Sequence, residues 1–338
     1  MKHKNTIFVP TLMLVVSLLL AFGEKLLSAV RQASSNVFFA VSIVWFLVVL
    51  LPIAFYCGLT RHSFTGVVPL RLPAWRDVPF VFFVAIAYLF GAATIKYLSV
   101  AFFSVQAAAT SSLISTPLYT VSNLPLTILC FILLPAVLEQ MLFSGLVLSE
   151  YREYGEIISI GMSALMFAIA HGSFEGFVFY LFTGFCMALV TRISSSILPA
   201  VLIASVAAAF DLYYETLFFE YVSQVETGSI LFYFFCALFL LFSFFAVSYL
   251  ERSYARRARS VKESALVALE EAHRKGALAD EKKEEHPDKL REPSLRGKKE
   301  SDAAKRELSF GAKLRFVFLS PVFILLIALF LLRASGVL

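Results

Sequence analysis

Four ionisable side chains interrupt long apolar stretches of this sequence: Glu139, His171, Asp211 and Glu215. A charged group is costly in hydrocarbon, so such residues mark functional sites or buried partners. Glu139 and His171 have complementary chemistry, because a carboxylate that holds a water against an imidazole is a general-base arrangement. The same two groups could instead form a structural hydrogen-bonded pair that fixes helix packing. Spacing alone leaves both readings open. Of the five histidines only His171 lies in an apolar block; His3, His62, His273 and His286 fall in loops or tails. Lys96 is set apart, since its flexible stem can carry the ammonium toward an interface. Glu139, His171 and Asp211 would nominally make a metal triad, but no ligand-spacing motif accompanies them, so neither a metal nor another cofactor is expected.

These groups sit in a chain that is 59% hydrophobic and 16% charged over 338 residues. Its mean hydropathy is +0.81. A soluble domain carries about a quarter charged residues, so this composition indicates a membrane protein. Apolar blocks near the length of a bilayer-crossing helix run over 6–23, 37–58, 78–103, 122–149, 156–172, 175–193, 196–218, 228–250 and 314–334. The expected fold is an all-α integral membrane protein with eight spans and a ninth at the C-terminus. The first block lacks a small-residue cleavage site before Glu24 and reads as an uncleaved span. With about 1.5 Å per residue counted from the turn at Arg152–Gly155, Glu139 lies roughly 18 Å into its helix and His171 roughly 24 Å into the next. Asp211, counted from Ser195, falls at a similar roughly 24 Å. Cys57, Cys130, Cys186 and Cys236 stand singly in apolar blocks and read as small apolar residues.

Positive charge in short loops sets the orientation. An N-terminus in the cytoplasm puts Lys2, Lys4, Arg61, Arg71, Arg76, Arg152 and Arg192 on the cytoplasmic side. It leaves Lys25 and Arg31 outside, with the uncharged 104–121 loop and the acidic 215–230 loop. The C-terminus then ends outside the plasma membrane. The segment 251–313 holds 17 of the 29 Lys/Arg and 13 of the 24 Asp/Glu. It reads as a cytoplasmic insertion whose basic juxtamembrane face attracts anionic lipid. Helical spacing is expected from Tyr254 to Leu278, and a disordered half around His286-Pro287-Asp288. The net charge of +5 is explained by topology and does not call for a nucleic-acid partner.

Around Glu139 the run Leu138-Glu139-Gln140-Met141-Leu142-Phe143-Ser144-Gly145 resembles the Glu-Glu-x-x-Phe-Arg-Gly core of the CPBP family, the CAAX proteases and bacteriocin-processing (Abi) enzymes. Phe167-Ala168-Ile169-Ala170-His171 is similar to that family's Phe-x-x-x-His motif. Tyr151–Gly155 resembles its short basic turn, Leu181–Phe185 its Gly-containing helix, and Ser195–Ile203 the approach to its last motif. The resemblance spans about 122–215 and implies an eight-helix bundle. It divides the chain into N-terminal helices over 1–121, a CPBP-like core over 122–250, the insertion 251–313 and a terminal helix over 314–338.

The resemblance implies that Glu139 and His171 activate a water for peptide-bond hydrolysis. It also implies that a last His and Asn steady the oxyanion, and here those positions are Ala204 and Ala208. Gln140 stands for the second Glu and Ser144 for the Arg. Ala204, Ala208, Asp211 and Glu215 recur on one helical face, so Asp211, with Gln140, is a further candidate lining the same cavity. Two functions follow as expectations: a membrane peptidase with weak or lost turnover on a membrane-bound peptide or protein, or a non-catalytic relative that binds and regulates a membrane partner. A transporter would want more intramembrane polar groups or broken repeat helices.

Overall fold

The computed structural model describes residues 5–33, 36–60, 63–103, 123–223, 230–255 and 310–336. The 104–121 loop, most of 251–313 and the Glu215 side chain lie outside the described residues. The described secondary structure is helical. Its main helices are α1 (Asn5–Ala21), α2 (Gly23–Ala33), α3 (Val37–Thr60), α4 (Val78–Phe103), α5 (Leu124–Tyr154) and α6 (Glu156–His171). They continue with α7 (Phe177–Ser194), α8 (Leu198–Ser223), α9 (Ile230–Ala255), α10 (Phe310–Phe318) and α11 (Pro321–Ala334). The chain forms two units, one of residues 1–244 with 313–338 and one of 245–312.

Among the described residues five helical stretches are long and apolar enough to cross a bilayer: Val37–Thr60, Trp75–Ser99, Leu124–Tyr154, Phe177–Ser194 and Ile230–Ala255. The protein is therefore a multi-pass membrane protein. Glu156–His171, Leu198–Tyr213 and Pro321–Ala334 are apolar but shorter. The first apolar block, 6–23, ends where the chain bends by 57° between Ile7–Ala21 and Lys25–Gln32. The apolar run ends at Phe22, and Glu24, Lys25 and Arg31 cannot follow it into hydrocarbon. Exposed apolar strips are the counterpart of this setting. Leu51, Phe55 and Leu59 repeat every fourth residue on α3, all at least 60% exposed. In water such a strip would be an aggregation hazard; against lipid tails it costs nothing.

Two helices widen locally into π-helix, at Phe46–Leu50, Ile128–Leu133 and Met141–Val147. The first two have an immediate cause. Pro52 and Pro135 lack the N–H that would bond the carbonyls of Val48 and Phe131, so the turn before each proline opens. The third begins just past Gln140. Glu139 thus stands in a short regular segment, Leu134–Gln140, between two widened ones.

The core forms where α6 lies against α7, with α5 along α6 and α4 and α8 along α7. Gly184 permits the closest approach. A Cβ there would meet the Ala164 Cα at 2.8 Å and the Phe167 Cβ at 2.9 Å. The C-terminal helix α11 returns to pack on α1 and α6.

Candidate active site

Glu139 and Gln140 are 2% and 1% exposed, in the most buried stretch of α5. Buried serines hold α5 to α6. The Ser159 hydroxyl donates to the Leu148 carbonyl at 2.7 Å, and Ser163 donates to that of Phe143 at 2.9 Å. Phe143 and Phe167 meet edge to face at 5.0 Å. Because the two helices are antiparallel, Glu139 and His171 each lie four residues beyond this ring pair, on the side away from the turn. Glycine ends α6 there: Gly172 adopts φ +64°, a conformation open to it without the steric cost of a Cβ.

The imidazole of His171 is clamped. It stacks on Tyr180 with centroids 3.8 Å apart and touches Phe167 at 4.4 Å. Its Nδ1 lies 2.8 Å from the Phe167 carbonyl. A carbonyl only accepts, so Nδ1 carries the proton and Nε2 of the neutral ring keeps its lone pair. Arg333 of α11 closes over this turn. Its Nη1 donates to the Ala170 carbonyl at 2.6 Å, and its side chain covers Gly172.

The resemblance left Gln140 and Ser144 as losses from a charged motif. In the structure they satisfy one another, the Ser144 hydroxyl donating to Gln140 Oε1 at 2.6 Å with both residues buried. One turn of the helix is therefore tied by a neutral bond where the resembled motif has a Glu and an Arg.

Asp211 is held by Lys96, Nζ to Oδ1 2.6 Å, with both side chains largely buried. Lys96 therefore does not reach for an interface; its ammonium also lies over the Phe179 ring at 5.1 Å. The pair lines a mostly apolar cavity of about 260 Å³ with Tyr88, Phe90, Phe179 and Ala207. The Tyr88 phenol in this wall is buried. Thr183 Oγ1 is 3.5 Å from the same hydroxyl. Among the described residues no three His, Cys, Asp or Glu side chains converge as a metal-holding group. Tyr88 and Tyr180 escaped the sequence reading, since a tyrosine in an apolar block is ordinary; only their neighbours single them out.

An acid, an imidazole and two phenols thus lie in the packed interior of a multi-pass helical bundle. Residues 121–210 match the family model described as type II CAAX prenyl endopeptidase Rce1-like. The match covers just over a quarter of the chain, from the start of α5 into α8, and is consistent with the CPBP family. No curated protein and no solved structure matches the chain.

Proposed function

We propose that this protein is a CPBP-type membrane protein that binds a membrane-bound peptide or protein and hydrolyses it weakly or not at all. In this reading Glu139 holds a water, His171 accepts from it through Nε2, and Gln140 and Asp211 belong to the surrounding cavity. The name of the matched family points to lipid-modified C-terminal peptides as the ligand class, and the apolar cavity beside Tyr88 suits such a chain. The protein sits in the plasma membrane with eight spans and a ninth, the N-terminus inside and the C-terminus outside. A reporter at Arg61–Arg76 or after Lys313 is then cytoplasmic, and one in 104–121 external.

The observation that carries the reading is the Lys96–Asp211 ion pair. The oxyanion positions implied by the family are Ala204 and Ala208, and Asp211 is the ionisable group nearest to them along α8. An aspartate neutralised by an ammonium offers no proton to a developing oxyanion. Loss of one such donor costs about 10²–10³ in rate, so the loss of two leaves little turnover.

A second reading has its own support. In it the buried phenol of Tyr88, which lines the same cavity as Asp211, is the hydrogen-bond donor that takes the missing role. The test is purified protein in lipid vesicles offered a prenylated membrane peptide. The binding reading expects capture without cleavage, with Glu139→Ala altering capture or stability more than any turnover. Robust cleavage abolished by Glu139→Ala or His171→Ala defeats it, and its loss in Tyr88→Phe would assign the donor.

A further inference from the structure

A second cavity, of about 350 Å³, is lined by neither Glu139 nor His171 and has a different chemistry. Arg71 reaches it from the segment before α4, Arg152 from the turn that ends α5, and Arg192 from the last turn of α7. The sequence assigns these arginines to three separate loops, where each serves as a topology signal. Tertiary structure turns them toward one space, whose wall also carries Ser144, Ser149 and Thr191.

Glu156 takes Nη2 of Arg192 at 2.6 Å. Two groups in the wall lack a hydrogen-bond partner among the described residues: Arg192 Nε, and Oγ1 of Thr191, which is 2% exposed. Buried donors without partners are rare in folded proteins and mark places where a ligand or water completes the bonding. The backbone around the cavity is also held. Ile197 N–H donates to the Pro69 carbonyl at 3.1 Å, and the Ser196 hydroxyl bonds the Arg71 carbonyl.

We infer that this cavity binds a phosphate group, supplied by the headgroup of an anionic phospholipid. Three guanidinium groups and the Thr191 hydroxyl match the tetrahedral oxygens of a phosphate ester, which arginine binds through paired N–H bonds. The ends of α5 and α7 put the cavity at the level where headgroups meet a spanning helix. A phosphate there ties the α5 turn, the end of α7 and the segment before α4 together.

The test uses the full chain purified in a neutral detergent. Thermal unfolding and native mass spectrometry are followed with phosphatidic acid, phosphatidylglycerol, phosphatidylcholine or inorganic phosphate added. The two anionic lipids should raise the unfolding temperature and stay bound, whereas phosphatidylcholine should do neither. Arg71→Gln with Arg152→Gln, two exposed side chains, should keep the lipid-free unfolding temperature and weaken anionic-lipid binding at least ten-fold. Thr191→Val should weaken it less, and Lys2→Gln with Lys4→Gln, an equal charge change elsewhere, should not. Inorganic phosphate acting with the same dependence on Arg71 and Arg152 supports the phosphate site and makes its source soluble. Equal response to phosphatidylcholine, or anionic-lipid binding undiminished in the double arginine variant, overturns the inference.

Discussion

Lys96 Nζ and Asp211 Oδ1 meet at 2.6 Å although 115 residues separate them in the chain. The bond joins α4 to α8 in the interior of the first unit, where both side chains are largely shielded. Burying the two charges together costs far less than burying either alone. Asp211→Leu or Lys96→Met alone should therefore destabilise the bundle by about 3–5 kcal/mol. Lys96→Met with Asp211→Leu should recover most of that loss. Unfolding in mixed micelles measures all three, and a double variant no better than the singles would show that charge pairing is not the cause.

Gly184 predicts a steric effect beside the same core. A Cβ added there would meet the Ala164 Cα and Phe167 Cβ at 2.8–2.9 Å, atoms that cannot swing aside. Gly184→Ala should force α6 and α7 apart and cost about 1–3 kcal/mol. The displaced α6 carries His171, so the unfolding midpoint and the environment of the imidazole, read by NMR, should change together.

The Ser144–Gln140 bond is local and neutral, which makes its removal clean. Ser144→Ala leaves the buried Gln140 Oε1 without its donor at 2.6 Å and should cost about 1–3 kcal/mol. Ser144→Ala with Gln140→Leu removes both partners and should be milder. A double-mutant cycle on the unfolding free energy checks the difference.

Arg333 is the last residue of the α11 apolar run to hold α6. A hydrogen bond from a charged donor contributes about 1.5–3 kcal/mol. Arg333→Gln should weaken the hold on the Ala170 carbonyl and uncover Gly172. Hydrogen exchange should rise at the C-terminal turn of α6 and along α11, with little change in α9. Unchanged exchange in α6 would mean that packing on α1 alone seats the C-terminal helix.

The sequence by itself determined that this is a helical membrane protein, because a bilayer demands unbroken apolar runs and penalises every charge inside them. It also carried the short motifs around Glu139 and His171, whose spacing is local to one helix each. The bend after Ala21 was less legible, since an apolar block ends at its first polar residues without stating the direction of the chain beyond them. Other relationships depended on how helices rotate and register against one another across long separations. Lys96 could have reached an interface; the packing of α4 on α8 gave it Asp211 instead. Tyr180 became a partner of His171 only when α7 closed on α6 through Gly184. Arg71, Arg152 and Arg192 became one basic cavity only when the segment before α4 met the ends of α5 and α7. Hydropathy is a property of each segment, whereas these contacts are properties of pairs, and only the tertiary structure decides which pairs meet.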